Sequence, residues 1–269
     1  MTFNKSFVVT LAISLLSASL VAQTQEANSA KRCSLATLKG TYGVLEQGTI
    51  LPSFPVVLAA NATYDGAGRE SGTFTANING LPVTGTFTGT YTVASDCTYT
   101  EEFVATPPGV SLHVSGVITG EGIFREIHYI YTDHDRVVFG TAKKTPPGGC
   151  SLETLKGKYE NLGHTTVVAA PPGFPPTPFP TAEFVILTYD GAGNAAGTFT
   201  TNFDGMVFSG TGISTYTVNR DCSYTQETTL ADGSVLHATG TVTGEGIHQE
   251  VRFIGSDSGS VSSGTMKKM

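Results

Sequence analysis

The chain has no tryptophan, only four cysteines in 269 residues, and few charges: 14% of residues are Asp, Glu, Lys or Arg. Long helix-forming runs are missing, and no stretch is both long and apolar enough for a comfortable membrane span. Basic residues are outnumbered, 15 against 22 acidic. So acidic a chain has no electrostatic means of holding nucleic acid or an anionic membrane surface. There is no G-x-S-x-G elbow, and no thiol remains as a nucleophile once the cysteines pair. Phrases such as TGEG (119–122) and GAG (66–68) open no long helix after a strand. They therefore lack phosphate-loop geometry, and no cofactor is implied.

What is present begins with MTFNKSFVVTLAISLLSASLVAQ. Lys5 precedes an apolar, Ser-rich run from Phe7 to Ala22, and polar residues follow at once. This is the pattern of a cleaved export signal over 1–22, with an uncleaved anchor as the alternative. Removing it leaves 247 residues with 14 basic against 22 acidic, a net charge near −8 and no membrane span. Residues 23–32 form a polar, disordered lead-in, and the mature chain is expected to be secreted or periplasmic. Four Cys in an exported chain point to two disulfides and to no metal site. The 32 glycines, with abundant Thr and Val, point to an all-β protein.

The chain repeats itself. CSLATLKGTYG (33–43) returns as CSLETLKGKYE (150–160), and TYDGAG (63–68) returns at 188–193. GTFT (72–75) returns at 197–200, DCTYT (96–100) becomes DCSYT (221–225), TGEGI (119–123) returns at 243–247, and GTAKK (140–144) becomes GTMKK (264–268). The offset between copies is 117, then 125, then 124. The length changes fall in a Pro-rich stretch and at a turn, so the matched segments are structural elements and the gaps are loops. Two copies are too few for a solenoid. The expected organisation is one domain over 33–144, a short linker TPPGG (145–149), and a second domain over 150–269.

In the first copy, turn signals lie at Asp65-Gly66, Asn79-Gly80, Ser95-Asp96, Pro107-Pro108, Gly120-Glu121 and His134, with a loop around Gly48 to Pro55. Seven turns make eight strands. Asn-Gly and Asp-Gly favour tight hairpins, hence antiparallel neighbours. Eight strands that each turn back leave two exposed edges unless the sheet closes. The expected fold is two tandem eight-stranded antiparallel up-and-down β-barrels; a two-sheet sandwich is the alternative. In VTGTFTGTYTV (83–93), Val83, Phe87, Tyr91 and Val93 share a face with Gly85 and Gly89, and Thr lines the other. In SLATLKG, Leu35 and Leu38 suit one helical turn, ended by Gly40, that caps a barrel mouth. Four Cys allow three pairings; repeat symmetry favours Cys33 with Cys97 and Cys150 with Cys222.

The order C-S-L-x-T-L-K-G-x-Y, Y-D-G-A-G, Y-T-V-x-x-D-C-x-Y and G-x-x-K-K resembles a group of secreted bacterial proteins, mostly of unknown function. The resemblance covers nearly the whole mature chain and implies a scaffold, not a reaction. The strand count is similar to that of the lipocalin and allene oxide cyclase/dirigent-type barrels, in architecture alone.

Candidate chemistry centres on the sixth and seventh strands. A two-residue turn at Gly120-Glu121 pairs His113 with His128, Ser115 with Glu126 and Val117 with Phe124. The same register in the second copy pairs His237 with Arg252 and Thr239 with Glu250. His113, Glu126, His128, His237, Glu250 and Arg252 are thus the catalytic candidates, a carboxylate being able to orient an imidazole and raise its basicity. The opposite face (Leu112, Val114, Ile118, Ile123, Ile127, Tyr129) makes the better core, so solvated pairing is the competing reading. DHD (133–135) has the residue types of a hard-cation site but sits at a turn, and Asp65 and Asp190 also fit turn duty. The Pro-rich loop PPGFPPTPFP (171–180) carries Phe174 and Phe179, which could cover a mouth, meet a protein partner, or pack on their own domain. The functional expectation is a non-enzymatic binder of an apolar or amphipathic small molecule, or a surface interaction module. The alternatives are a cofactor-free isomerase or cyclase, and a structural envelope protein.

Overall fold

A computed structural model describes residues 32–169 and 177–269. The expected export signal (1–22), most of the lead-in segment and Phe174 lie outside the described residues. Among the described residues no helix is long and apolar enough to cross a membrane.

Strands β1 (Gly40–Ile50), β2 (Phe54–Tyr64), β3 (Arg69–Ile78), β4 (Leu81–Val93), β5 (Thr98–Thr106), β6 (Val110–Thr119), β7 (Glu126–Tyr131) and β8 (Arg136–Lys144) follow one another. Each pairs antiparallel with the next, and β8 returns to β1, so the sheet closes into barrel 1. The second copy repeats this with β9 (Gly157–Val167), β10 (Phe179–Tyr189), β11 (Asn194–Phe203), β12 (Met206–Val218), β13 (Ser223–Leu230), β14 (Val235–Thr243), β15 (Glu250–Gly255) and β16 (Ser260–Lys268). Pairing of β16 with β9 closes barrel 2. Closure removes the free edges that eight consecutive hairpins would otherwise expose.

Turn chemistry places the hairpins. Asn79 (φ 52°) and Gly80 (φ 81°) both adopt the left-handed region between β3 and β4, as a twisted two-residue hairpin requires. Asp65 Oδ1 accepts the backbone N–H groups of Ala67 (2.6 Å) and Arg69 (3.0 Å), and Asp190 repeats this in barrel 2. The expected loop at 48–55 is shorter, because β1 runs to Ile50 and β2 starts at Phe54.

One register differs from expectation. Thr119 pairs with Glu126, Ile118 with Ile127 and Val117 with His128, a shift of four from a two-residue turn at Gly120-Glu121. The cause is a 3-10 turn at Gly122–Phe124 that lengthens the connection. Both flanking glycines, Gly120 (φ 66°) and Gly122 (φ 59°), take conformations that L side chains avoid. The same turn, Gly246–His248, shifts β14 against β15, so Arg252 faces Thr241 and Glu250 faces Thr243.

A 3-10 turn at Leu35–Leu38 caps one mouth of barrel 1, with Leu38 fully buried. The Tyr91 hydroxyl donates to its Leu35 carbonyl at 3.2 Å. Cys33–Cys97 ties this cap to the β4–β5 turn, and Cys150–Cys222 does the same in barrel 2. Inside each barrel four tyrosines recur at matching positions: Tyr42, Tyr64, Tyr91 and Tyr99, then Tyr159, Tyr189, Tyr216 and Tyr224, all buried.

The outer faces of the barrels pack together. Val57, Ala59, Ile254 and Val261 form a separate apolar cluster. The Asn77 amide donates to the carbonyls of Gly255 (3.2 Å), Asp257 (3.1 Å) and Ser260 (2.8 Å). A Cβ on Gly43 would lie 2.5 Å from the Thr243 methyl, so glycine here lets β1 and β14 approach closely.

Candidate functional site

The sequence-derived candidates lie on the outside. His113 points out of β6, its Nδ1 2.9 Å from Asp133 Oδ1, while Asp133 Oδ2 accepts the His113 backbone N–H at 2.9 Å. Its Nε2 is 3.7 Å from Glu102. His237 repeats the arrangement with Asp257 (2.7 Å) and Glu227 (3.6 Å). The hydrogen bond to the aspartate raises both imidazoles above their ordinary value, with solvation loss opposing. So Asp133 of the DHD phrase pins a strand, and Asp135 holds Arg136 at 2.8 Å. Among the described residues no cluster of His, Cys, Asp or Glu is arranged to hold a metal ion.

His113 and His128 do not face each other. His128 sits exposed, 3.4 Å from Glu126. Glu126, Glu250 and Arg252 instead meet Lys143 between the barrels. Lys143 Nζ is 3.5 Å from Glu126 and 3.2 Å from Glu250; Arg252 Nε donates to Glu250 at 2.8 Å and its Nη1 to the Thr141 carbonyl at 2.9 Å. Burial would raise Glu250, but Arg252 and Lys143 outweigh it and hold the carboxyl below its usual range. This is a largely buried ion cluster joining the two barrels. Phe179 begins β10 and is buried with its ring 6.3 Å from that of Phe203.

The site that the outward-facing candidates do not reach is the interior of barrel 1. A cavity of about 210 Å³ opens at the mouth formed by Ile50, Pro107, Pro108 and Arg136. Its wall carries Phe74, Phe87, Phe103 and Tyr131, with edge-to-face ring contacts of 5.6 Å (Phe87–Phe103) and 6.2 Å (Phe103–Tyr131). Strand alternation puts Glu46, Glu70 and Glu101 on the same inward parity as Val44, Phe74 and Tyr99.

Glu46 is buried and accepts hydrogen bonds from the Tyr129 hydroxyl (2.5 Å) and the Tyr131 hydroxyl (2.8 Å). Burial raises it, and the two tyrosines partly offset that. Glu101 lines the cavity and accepts from Tyr64 at 3.3 Å. It is raised well above the usual range by burial first, then by the neighbouring Glu70 and Glu46. Glu70 lies behind it, 5% exposed, with no well-aligned donor to either oxygen among the described residues, although the Glu101 carboxyl and the Tyr64 hydroxyl lie near enough to favour its charged form. Burial pushes it up to about 7. Its carboxylate fills the space that a side chain at Gly89 would need, 2.6 Å from an ideal Cβ there.

Barrel 2 is an internal control for what the scaffold needs. At the positions of Glu46, Glu70 and Glu101 it carries Gly163, Ala195 and Gln226. For Phe87, Phe103 and Tyr131 it has Gly212, Thr228 and Gly255. Gln226 is satisfied: Tyr189 (2.8 Å) and Tyr224 donate to its oxygen, and its amide donates to Ser214 (3.1 Å) and Thr228 (2.7 Å). The tyrosine quartet is shared and belongs to the fold. The carboxyls at these three positions, and Phe87, Phe103 and Tyr131 of the wall, belong to barrel 1; Phe74 returns as Phe199, and barrel 2 has an inward carboxyl of its own, Glu183, raised by burial, at the position of Leu58. Buried carboxyls short of donors are destabilising, so three of them gathered in one barrel interior mark a candidate site.

No protein-family model matches the chain, and comparison with curated proteins gives no match. Among solved structures, the chain is similar to a crystal structure of a protein of unknown function from the DUF3598 family of Nostoc punctiforme. That likeness covers 87% of this chain and 98% of the other, at 11% identity and a TM-score of 0.26. It carries nothing about the chemistry inside either barrel.

Proposed function

We propose that the chain is an exported binding protein that takes an amphipathic small molecule into barrel 1. The observation that carries this reading is the cavity itself. It is lined mainly by apolar and aromatic side chains with a few polar groups, Glu46, Glu101 and Arg136 among them, which is the usual composition of a ligand pocket. Protein interiors are normally close-packed, so a void of this size inside barrel 1 speaks against a purely structural role. The apolar leader and the two disulfides support export. Glu101 also favours a second reading, a cofactor-free isomerase or cyclase. A carboxyl held neutral beside a cavity is an acid within reach of a bound molecule, a role the outward His–Glu pairs cannot fill.

The test is to denature the purified full chain and identify released small molecules by mass spectrometry. Ala62→Leu installs the residue that barrel 2 carries at Leu187 and takes volume from the cavity beside Phe87. Wild type should release a ligand and Ala62→Leu should not. Equal release from both would overturn the assignment to barrel 1. Release of a molecule chemically altered from the one supplied would favour the isomerase reading.

A further inference from the structure

Barrel 1 buries three carboxyls and gives them too few donors. Glu46 takes two tyrosine hydroxyls, Glu101 takes one, and Glu70 has no well-aligned donor among the described residues and leans on Glu101 and Tyr64 at longer range. The one basic side chain among the residues lining the cavity is Arg136, at the mouth, and its Nε and Nη2 are committed to Asp135 at 2.8 and 2.9 Å. At the Glu101 position barrel 2 carries a neutral, fully bonded glutamine, and its inward carboxyl Glu183 accepts only a long bond from Asn161 at 3.5 Å among the described residues. The acid cluster of barrel 1 is therefore short of donors and of any positive partner, and burial keeps it partly protonated until one arrives.

The complement can be chosen by charge. An anionic headgroup entering this cavity would meet buried carboxyls and no free cation. A hydroxyl would bring one donor. An ammonium brings three donors and the missing positive charge to a place where water is excluded and an ion pair is strong. The apolar part is set by the wall. A cavity of about 150 Å³ takes a benzene ring, and this one, at about 210 Å³, has room for a ring and a short chain. Phe74, Phe87, Phe103 and Tyr131 offer ring edges and faces to an aromatic guest.

We propose, resting on the binding reading above, that the ligand of barrel 1 is a small arylalkyl amine, its ring among Phe74, Phe87 and Phe103 and its ammonium on Glu101 with Glu46 nearby. The titratable groups lining the cavity around that ammonium are Glu46 on β1, Tyr64 on β2, Glu101 on β5, Tyr129 and Tyr131 on β7 and Arg136 on β8, with Glu70 on β3 and Tyr99 on β5 behind them. Of these, the Glu70–Glu101 pair holds a proton near neutrality, which a bound ammonium displaces. Binding therefore tightens as pH rises, by up to about tenfold per pH unit where one proton leaves per amine bound.

The test is isothermal titration of the full chain with three probes of one shape: 2-phenylethylamine, 2-phenylethanol and 3-phenylpropanoate, from pH 5 to pH 8. The amine should bind at least tenfold tighter than the alcohol at pH 8, and its affinity alone should climb between pH 5 and 7. The propanoate should bind weakest. Glu101→Gln should bring amine and alcohol within about twofold of each other. If the alcohol or the propanoate binds wild type as tightly as the amine, the amine assignment fails and the binding reading survives. If none of the three binds wild type, both fail. The three-probe comparison on wild type needs no variant to fold.

Discussion

Replacing Glu70 by Gln isolates the cost of the buried charge. The substitution keeps size and shape and removes the ionisation. Burial raises Glu70 from 4.5 to about 7, which at about 1.4 kcal/mol per pH unit amounts to about 3 kcal/mol. The sign follows from the folded value lying above the unfolded one. The stabilisation that comes with the neutral carboxyl is complete below about pH 4.5 and is lost as pH rises through about 7. At pH 8 wild type has lost it, whereas Glu70→Gln has nothing to lose. The variant should match wild type near pH 4 and exceed it at pH 8 by about 3 kcal/mol, or about 6–12 °C in Tm for a chain of this size. Thermal unfolding followed by circular dichroism at the two pH values measures the difference; titrations elsewhere in the molecule cancel between the two proteins except that of Glu101, which the variant also relieves of the Glu70 charge. A variant no more stable than wild type at pH 8, or equally stabilised at both pH values, would refute the claim that barrel 1 carries an uncompensated acid.

Other outcomes follow from the same geometry. Arg252→Ala should cost about 3 kcal/mol in chemical denaturation, because Glu250 keeps Lys143 but loses its shortest partner inside the barrel contact. Opening Cys33–Cys97 by paired serine substitutions should cost about 2–4 kcal/mol, the loop between them spanning 64 residues. In NMR titration the His113 and His237 imidazoles should both titrate above 6.5, their contacts with Asp133 and Asp257 being lost as pH rises through those raised values. His113→Gln and His237→Gln should leave ligand release unchanged, since both rings lie outside the barrels.

The fold was legible because its punctuation is local. Asn79-Gly80, Asp65-Gly66 and the duplicated TGEGI place turns by backbone preference, and strict alternation in 83–93 places the inward face. Duplication then selects one disulfide pairing of three. The register of β6 on β7 was less legible. Gly-Glu-Gly reads as a two-residue turn, but its second glycine also takes a left-handed conformation, and the chain needs a 3-10 turn before it can pair. A one-turn difference of this kind moves every cross-strand partner, so the proposed His113–His128 and His237–Arg252 pairs do not exist. The interior site was legible in principle and lay elsewhere. Glu46, Glu70 and Glu101 fall on the apolar parity of their strands, where a carboxylate is out of place, and the second copy replaces each with Gly163, Ala195 and Gln226. The signal is the comparison of two copies at inward positions, not the presence of any motif. What no sequence pattern carries is that these three side chains, from strands far apart in the chain, converge beneath one aromatic wall.

The most direct test is xenon pressurisation of crystals of the full chain, because xenon enters empty apolar cavities without regard to a ligand's chemistry. Barrel 1 should show xenon among Phe74, Phe87 and Phe103, and crystals of Ala62→Leu should show less or none there. A barrel 1 that takes up no xenon, or xenon found inside barrel 2 alone, would contradict the account.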